Sequence, residues 1–424
     1  MYNNNNSSGG FKNFSSGPAR GGSSFSRFGS PQRSVGGSSR SFGGPARPSF
    51  GGRSRFQPTK MNPALFVKKA EAVVKIEEQN TIHTFVDFNL NPTLLANIKA
   101  KGFTKPTQIQ DQAIIPIMEK KDVLGLAATG TGKTAAFALP LIDSILKNPR
   151  QQVLIMAPTR ELAMQIKQDI RSFTPGLPIY LALAIGGAFL REQIIDIRRG
   201  PHFIVGTPGR IKDLVNRHVI DLSRVNVLVL DEVDRMLDMG FITDIKEIVD
   251  QIPKERQTLF FSATINNKIQ ALIGSFLRNP VTIALKSANA STHVDQDIVR
   301  VPRHLKEQKL VEMMGLPEFK KVLVFGATQR IVEQLSVTLS AKGFKAASLH
   351  GGKPQNKRTR IIKDYKESMF NILVATDVAA RGLDIADITH VINYDQPNDY
   401  DDYTHRIGRT GRGDAMGFAL TFIE

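Results

Sequence analysis

Short apolar runs alternate with amphipathic stretches along most of the chain, from about residue 83 onward. The run Val-Leu-Ile-Met-Ala at 153–157 predicts a buried strand, and the Pro-Thr-Arg that follows it predicts a turn. Apolar side chains then recur at helical spacing, at Leu162, Ile166, Ile170 and Phe173. Repetition of strand, turn and helix is typical of parallel sheets joined by crossover helices. We therefore predict an α/β fold.

A similar unit returns later in the chain. The segment 153–162 has a weak echo at 322–331, and the glycine pairs that begin at 186 and 351 repeat at nearly the same offset. A duplicated domain would leave such an echo, although two strand-turn-helix units can also look alike by chance. A small polar stretch at 287–292 favours a boundary there. We expect a first domain at 83–287, a linker at 288–294 and a second domain at 295–424.

The first 82 residues follow a different pattern. Residues 1–60 are rich in Gly and Ser and contain nine Lys or Arg, seven Phe and no Asp or Glu, so no apolar period can build a core there. We predict a disordered basic tail whose Arg and Phe side chains meet phosphates and stack on unpaired RNA bases. A passive solvated tail is the alternative. Residues 61–82 are predicted to be a linker with a short helix, between Asn62 and Glu78, that docks on the first domain.

Composition limits the partners, the metal sites and the cellular location that the protein can have. The 424 residues carry a net charge of +17, of which the tail supplies nine, and this balance favours a nucleic-acid partner over a merely solubilising charge. The absence of Cys excludes disulfides and thiolate metal sites, and the eight His residues have no ligand spacing. The longest apolar stretch, 177–190, is shorter than the roughly 20 residues of a membrane span. We expect a cytoplasmic protein that does not use a membrane.

The strongest chemical signal is Ala-Ala-Thr-Gly-Thr-Gly-Lys-Thr at 127–134, which lies between an apolar run and a stretch that can open a helix. Glycines at such a turn let backbone N–H groups surround phosphate oxygens, and the helix N-terminus adds partial positive charge. Lys133 is predicted to reach the β and γ phosphates, and Thr134 to hold Mg²⁺. A generic Gly-rich turn is the alternative. The candidate nucleotide-binding residues here are Ala127, Ala128, Thr129, Gly130, Thr131, Gly132, Lys133 and Thr134.

The second signal is Asp-Glu-Val-Asp at 231–234, directly after the apolar run 225–230. In open parallel sheets, ligands bind at the carboxyl ends of the strands. Asp231 is expected to hold Mg²⁺ and Glu232 to orient or deprotonate the attacking water. Alone, an acidic helix start would be the better interpretation, but the phosphate loop gives both carboxylates a role. The two motifs together predict a nucleoside triphosphatase.

Three arginines spaced by three residues form the third signal, at Arg406, Arg409 and Arg412. If two domains close on one nucleotide, arginines of the second domain can stabilise the transition state of the γ-phosphate. Such groups contribute roughly 10³ to 10⁵ in rate. A plain RNA-binding basic patch is the alternative.

With these motifs in place, the stretch from Phe85 to Glu424 resembles the DEAD-box family of ATP-dependent RNA helicases, of the bacterial type. The resemblance implies two tandem RecA-like P-loop domains. The segment 102–110 is similar to the family's adenine-recognition motif, and a Gln amide matches the donor and acceptor that adenine offers at N6 and N7. ATP is therefore favoured over GTP. The resemblance assigns adenine stacking to Phe103, adenine reading to Gln110, flanking positions to Phe85 and Lys105, and ribose contact to Asp384.

Other motifs of the family imply how RNA binding and hydrolysis are linked. The candidate RNA-backbone contacts are Arg160, Gly187, Thr207, Arg210, Arg358 and Thr376. Ser262 and Thr264 resemble the motif that couples hydrolysis to strand separation, through bonds between Asp234 and a second domain in which His405 takes part. The resemblance makes Arg409 and Arg412 the γ-phosphate fingers, and Arg406 an organiser of the domain interface.

The chain departs from the family pattern in three places. Val233 stands where the namesake motif has Ala, which leaves the carboxylates in place, and the methyl of Ala128 offers no hydrogen bond to the nucleotide. The sequence stops 12 residues after Arg412, before the closing helix that the family usually has. We therefore expect one face of the second sheet to be undercovered, with exposed apolar surface.

The resemblance implies an ATP-dependent RNA helicase, an enzyme that hydrolyses ATP with Mg²⁺ to separate RNA strands locally or to remodel RNA–protein complexes. Single strands and short duplexes of any sequence are the expected partners, and the core is expected to be monomeric. The alternative is an ATP-gated RNA clamp that serves as an assembly platform. A DNA helicase is disfavoured because the adenine and backbone motifs together resemble the RNA family.

Overall fold

The computed structural model describes residues 61–70, 81–128, 130–285, 293–380, 385, 387–411 and 415–424. The tail at 1–60 and most of the predicted linker at 288–294 lie outside these residues. The described chain contains two separate parallel sheets with helices around them, which confirms the predicted α/β class. Among the described helices, none has the length and apolar character needed to cross a bilayer.

The first sheet has seven parallel strands in the order β3-β4-β2-β5-β6-β1-β7. Both of its faces are buried, since Val227 and Val229 of one strand join one core while Leu228 and Leu230 join the other. Its strands are β1 Val123–Leu126, β2 Gln152–Met156, β3 Leu181–Ala184, β4 Phe203–Gly206, β5 Val225–Leu230, β6 Gln257–Ser262 and β7 Val281–Ala284. Its helices are α1 Pro92–Ala100, α2 Gln108–Met118, α3 Lys133–Lys147, α4 Arg160–Phe173, α5 Leu190–Arg198, α6 Pro208–Asn216, α7 Val233–Asp238, α8 Ile242–Val249 and α9 Asn267–Phe276.

The second sheet has six parallel strands in the order β10-β11-β9-β12-β13-β8. Its last strand in the chain is therefore internal, and its first strand is at an edge. The strands are β8 Val294–Arg300, β9 Val322–Phe325, β10 Ala346–Leu349, β11 Ile372–Ala375, β12 His390–Asn393 and β13 Gly417–Ile423. The helices are α10 Lys306–Met314, α11 Gln329–Ala341, α12 Gln355–Lys366, α13 Asp377–Ala380 and α14 Tyr400–Ile407.

The strand order brings the predicted chemical motifs together. β5, β6 and β1 are neighbours, so their carboxyl ends meet at one edge of the first sheet. The backbone bonds continue past the strand ends, since the Ala127 amide donates to the Ser262 carbonyl and the Asp231 amide donates to the Met156 carbonyl. The phosphate loop, the acidic motif and Ser262 therefore lie side by side.

Residues 61–70 differ from the prediction in shape and position. They form a short 3-10 helix at Pro63–Phe66, which the Asn62 side chain caps by accepting from the Ala64 amide. Lys68 then pairs with Gln296 of β8 in an antiparallel bridge. For these ten residues the predicted docking on the first domain is wrong, because they pack on the second sheet, and the rest of the predicted helix lies outside the described residues. Periodicity indicated an apolar face but held no information on which sheet would receive it.

The same contact bears on the expected undercovering of the second sheet. Phe66 packs beside Ala419 of β13 and Val294 of β8, so the edge strand β8 and its neighbour β13 are covered there on that face. On the opposite face of β13, Phe418 remains 41% exposed. Exposed apolar surface is therefore present on this face of the second sheet.

Candidate active site and RNA-facing cavity

The phosphate loop has the backbone shape that its glycines predict. It runs from Ala127, after β1, to Gly132, before α3, and Gly130 and Gly132 have φ values of 87° and 93°. A Cβ at Gly132 would lie 2.5 Å from the Gln110 amide nitrogen, so a larger residue does not fit there. Lys133 is buried and its Nζ donates to the Ala127 carbonyl at 2.9 Å. Thr134 is half-buried at the start of α3, and Thr129 lies outside the described residues.

The acidic motif is buried at the end of β5. Asp231 and Glu232 are each 3% exposed, and Glu232 has a left-handed backbone with φ of 53°, which is uncommon for a residue with a side chain. Burial raises the pKa of Asp231 to about 6, against the opposing effect of the Lys133 ammonium. One carboxylate oxygen of Asp231 has no hydrogen-bond partner among the described residues. The Oε2 atom of Glu232 lies 3.1 Å from Nη1 of Arg235, and both side chains are buried.

The orphaned Asp231 oxygen fits a cation. An unpaired buried carboxylate is costly unless a positive charge or donor meets it. Among the described residues, no group of three His, Asp or Glu side chains could hold a metal by itself. An ion at Asp231 would therefore take its other ligands from Thr134, from phosphate oxygens and from water, as Mg²⁺ commonly does.

Of the predicted adenine residues, Gln110 lies beside the phosphate loop and is hydrogen-bonded to the chain itself. Gln110 is 1% exposed; its Oε1 accepts from the Thr107 amide and its Nε2 donates to the Gly132 carbonyl at 3.2 Å. One hydrogen and one lone pair of the amide remain for adenine. Phe85 is buried, whereas Phe103 is half-buried and meets Phe85 edge-on at 6.2 Å. Lys105 is exposed, and Asp384 lies outside the described residues. Adenine reading stays a prediction.

Asp234 connects the acidic motif to the segment after β6. One of its oxygens accepts from the Ala263 amide at 3.0 Å, the Thr264 amide at 3.1 Å and the Thr264 hydroxyl at 3.4 Å. The Ser262 hydroxyl donates to the Thr264 carbonyl. In the second domain, burial raises the pKa of Asp401 in α14, with smaller contributions from the carboxylates of Asp399, Asp234 and Asp402 in that order. The acidic motif therefore lies within electrostatic reach of α14, the helix that contains His405.

Arg406, which is predicted to organise the domain interface, is anchored within the second domain, and its role at the interface stays a prediction. Its guanidinium donates to both carboxylate oxygens of Asp377, to the Asn393 amide oxygen and to the Asp395 carbonyl. These partners all belong to the second domain, so the described contacts fix α14 to its own sheet. Arg409 is 3% exposed and its Nε donates to the His405 carbonyl at 3.3 Å. Arg412 lies outside the described residues, and the assignment of fingers stays a prediction.

A cavity of about 410 Å³ lies between residues of the two sheets. Four of the six residues that are predicted to contact RNA line this cavity. They are Arg160, Thr207 and Arg210 from the first domain and Arg358 from the second. The other two are nearby in the chain. A Cβ on Gly187 would lie 2.3 Å from the Arg160 guanidinium, and half-buried Thr376 precedes the lining residue Val378 by two positions.

Buried polar atoms in this region lack partners within the described residues. They are Nη1 of Arg210, Nε of Arg358 and Oε1 of Gln355. Three orphaned groups in one place indicate a surface shaped for a polar ligand. Two are guanidinium nitrogens, which match phosphate oxygens.

Two polar residues at the boundary of the sheets were missed by the sequence analysis. Glu161 and Gln355 both appear in segments that resemble known motifs, yet only their neighbours were selected. Glu161 is buried and forms a 2.8 Å ion pair with Arg358, while Gln355 donates to its other oxygen. The signal that could have found Glu161 was its position as an acidic residue within a motif otherwise expected to face RNA phosphates.

These features define a nucleoside triphosphatase with a phosphate loop and acidic motif on one parallel sheet and an arginine-bearing helix on another. The DEAD/DEAH box helicase family model matches residues 107–272, and the helicase conserved C-terminal domain model matches residues 305–414. The chain is 44% identical to the ATP-dependent RNA helicase CshA of Limosilactobacillus reuteri over 341 residues, which are 80% of this chain and 69% of that protein.

Solved structures of similar proteins have the same two-domain fold. Dbp5 of S. cerevisiae, bound to RNA and ADP BeF3, matches with a TM-score of 0.72 and 31% identity over 80% of this chain and 89% of that one. Mss116p, bound to ssRNA and AMP-PNP, matches with a TM-score of 0.74 and 29% identity over 84% of this chain and 77% of that one. The chain belongs to the DEAD/DEAH box helicase family. It is an ATP-dependent RNA helicase with two RecA-like domains, as its motifs predicted.

Proposed function

We propose that the protein couples ATP binding and hydrolysis to local separation of short RNA duplexes or to remodelling of RNA–protein complexes. The observation that carries this proposal is the cavity between the sheets, where Arg160, Thr207 and Arg210 face Arg358. A backbone-binding cavity formed by two domains exists only while the domains are together, so nucleotide-driven closure would assemble it. Single strands and short duplexes of any sequence are the proposed partners, because arginine and glycine contacts recognise phosphate and not bases.

The proposed roles in hydrolysis follow the geometry of the first sheet. Lys133 binds the β and γ phosphates, Thr134 and Asp231 hold Mg²⁺, and Glu232 orients the attacking water. Mg²⁺, when bound, neutralises charge that develops on the phosphates. Arg409 and Arg412 complete the site from the second domain. The remaining proposed roles are nucleotide binding by Phe85, Phe103, Lys105, Gln110, residues 127–132 and Asp384, RNA binding by Gly187 and Thr376, and coupling by Asp234, Ser262, Thr264 and His405.

We also propose the domain division 83–287, 288–294 and 295–424. It is supported by the first sheet, whose strands end at Ala284, and by the second, which begins at Val294. We further propose that the core is monomeric and that the protein acts in the cytoplasm, where both RNA and ATP are present. For the tail at 1–60, nine charges on a single strand would add about −6 to the slope of log affinity against log salt. An unchanged slope after its deletion would make the tail a spacer.

The first test is ATP hydrolysis with and without single-stranded RNA. We expect strong RNA stimulation in the unaltered chain and its loss in Lys133→Ala. The matched control is Lys121→Ala, which changes an exposed lysine at the opposite end of β1. Glu232→Gln should reduce hydrolysis by roughly 10² to 10⁴ while ATP and RNA still bind. Normal multiple-turnover unwinding by Glu232→Gln would contradict the proposal.

The ATP-gated clamp is kept as a second function because the Glu161–Arg358 ion pair is buried between the domains. Such a pair opposes opening, since separation would break it. A duplex with one labelled strand distinguishes the two functions under single-turnover conditions. Release of the strand within one ATP turnover supports the helicase, whereas RNA that stays bound over many turnovers until a partner is added supports the clamp.

A further inference from the structure

The segment 61–70, which we call the strap, packs on α14 without belonging to either helicase domain. Phe66 is completely buried and its ring meets the Tyr403 ring edge-on, with the centroids 4.8 Å apart. Ile407, one turn after Tyr403, joins the same cluster, so the strap packs on the face of α14 that carries these two residues. The segment is not one of the family motifs, and the proposed function gives it no role.

Hydrogen bonds also join the strap to β8 and β8 to α14. The Lys68 amide donates to the Gln296 carbonyl at 3.0 Å, and the Gln296 amide donates back to the Lys68 carbonyl at 2.8 Å. The Tyr403 hydroxyl donates to the Gln296 side chain at 3.0 Å. The strap, β8 and α14 therefore share one buried network, and burial raises the pKa of Tyr403. At the exposed end of the strap, Lys69 forms an ion pair with Asp295 at 3.2 Å.

Other residues of α14, and one just after it, include members of the arginine motif and an acidic group. Arg406 fixes the helix to Asp377 and to the end of β12, and Arg409 follows the helix by two residues. Asp401 lies within electrostatic reach of Asp234 in the acidic motif. A small rotation of this eight-residue helix would move Asp401, Arg406 and Arg409. A misplacement of a catalytic group by about 1 Å can lower the reaction rate roughly a hundredfold.

We infer that the strap positions α14 for ATP hydrolysis, with Phe66 as its anchor. Phe66 is a positioning residue, since among the described residues it packs in the cluster of Tyr403, Val294 and Ala419 and reaches the arginine motif through the helix. The inference rests on the proposed role of the arginine motif. It also predicts that the strap acts on turnover and not on nucleotide binding, because the phosphate loop and Gln110 belong to the first domain.

Phe66→Ala tests the anchor. We expect kcat for RNA-stimulated ATP hydrolysis to fall by about tenfold, well below the loss of an arginine finger, while KM for ATP changes by less than about twofold. Rates are normalised to the number of sites that bind a fluorescent ADP, which removes unfolded molecules from the comparison. Leu65→Ala is the matched control, because Leu65 lies in the same 3-10 helix with 47% of its surface exposed.

A charge reversal tests the strap without disturbing the core. Lys69 and Asp295 are 79% and 23% exposed, so their replacement leaves the cluster around Phe66 intact. Lys69→Glu places two carboxylates together and should lower kcat by up to about fivefold, the range expected for a surface pair. Combining it with Asp295→Lys should restore kcat. Rescue by the double variant is not expected if the strap merely covers the sheet.

The outcomes separate this inference from the proposed function. Arg409→Lys serves as the reference variant. If Arg409→Lys hydrolyses ATP at the normal rate, the proposed role of the arginine motif fails and the strap inference fails with it. If Arg409→Lys is impaired while Phe66→Ala and Lys69→Glu both retain normal kcat per binding site, the strap inference alone is overturned. Loss of kcat in Phe66→Ala together with charge-reversal rescue would support it.

Discussion

Glu161 of α4 and Arg358 of α12 form an ion pair, with Oε2 and Nη2 2.8 Å apart, that links the two domains. Each side chain is only 5% exposed, and Gln355 of α12 donates to the other Glu161 oxygen at 3.0 Å. One carboxylate of the first domain therefore holds two side chains of a helix in the second. The pair lines the cavity that we propose for RNA, so domain closure and RNA binding share the same groups.

Glu161→Gln is expected to weaken RNA binding. Removing one partner of a buried ion pair leaves an uncompensated charge, and here the domains can relieve it by separating. We expect affinity for RNA in the presence of a non-hydrolysable ATP analogue to fall by about tenfold or more, as measured by fluorescence anisotropy. Glu247→Gln is the control, because its ion pair with Lys212 is on the surface and its side chain is 49% exposed. Equal affinities for both variants would exclude a role of the buried pair in closure.

Gln110→Glu tests adenine recognition separately from loop structure. The carboxylate can still accept from the Thr107 amide but cannot donate to the Gly132 carbonyl or to an acceptor on adenine. We expect kcat/KM for ATP to fall by about a hundredfold or more, with a much smaller change for GTP, because a buried group loses its partner. Gln108→Glu, an exposed neighbour, is the control. An equal loss for ATP and GTP would mean that Gln110 only supports the phosphate loop.

The parts of the site that sequence could predict are local in the chain. The phosphate loop, Asp231 and the strands around them follow from short-range patterns, since an apolar run, glycines and a carboxylate need no distant partner to be recognised. Glu161 and Phe66 have proposed roles that depend on Arg358 and Tyr403, far away in sequence, and periodicity says nothing about such pairs. The partners of Arg406 could not be predicted for the same reason, since Asp377 and Asn393 lie 29 and 13 positions before it in the chain.

Ser262→Ala combined with Thr264→Ala is expected to separate hydrolysis from unwinding. The change removes the Ser262 bond to the Thr264 carbonyl and the Thr264 hydroxyl bond to Asp234, but leaves both backbone bonds to Asp234. No group proposed to touch phosphate is lost, so the rate of ATP hydrolysis should stay within about threefold of that of the unaltered chain. The rate of unwinding should fall by about tenfold or more, because each lost coupling bond contributes roughly 1 kcal/mol. Parallel ATPase and strand-displacement assays check this. A proportional fall of both rates would argue against coupling.

His390 should make the second domain sensitive to acid. Its ring is 5% exposed between Phe319 and Phe418, and burial lowers its pKa to about 4. An unfolded histidine titrates near 6.5, so between pH 6.5 and 4 the unfolded chain binds a proton that the folded chain does not. Stability is therefore complete above pH 6.5 and decreases as the pH falls towards 4.

The matching variant is His390→Phe, which keeps an aromatic ring between its neighbours but cannot titrate. Its Tm should depend less on pH between 4 and 6.5 than that of the unaltered chain, as followed by thermal unfolding of the whole protein. His304→Gln, which removes an exposed histidine, is the control and should leave the pH dependence as it is. The same steep pH dependence in His390→Phe would rule out His390 as its source.

The strand order of the second sheet has a consequence for synthesis on the ribosome. All strands of the first sheet have been made once β7 is complete at Ala284, so that sheet can fold while translation continues. β8 is different, because the one described strand that it pairs with in this sheet is β13, which follows all the other described strands in the chain. Phe66, Val294 and Gln296 must therefore wait until β13 has been translated before their shared core can close. The nascent chain leaves this edge open until then, and the seven residues of β13 complete both the described sheet and the binding place of the strap.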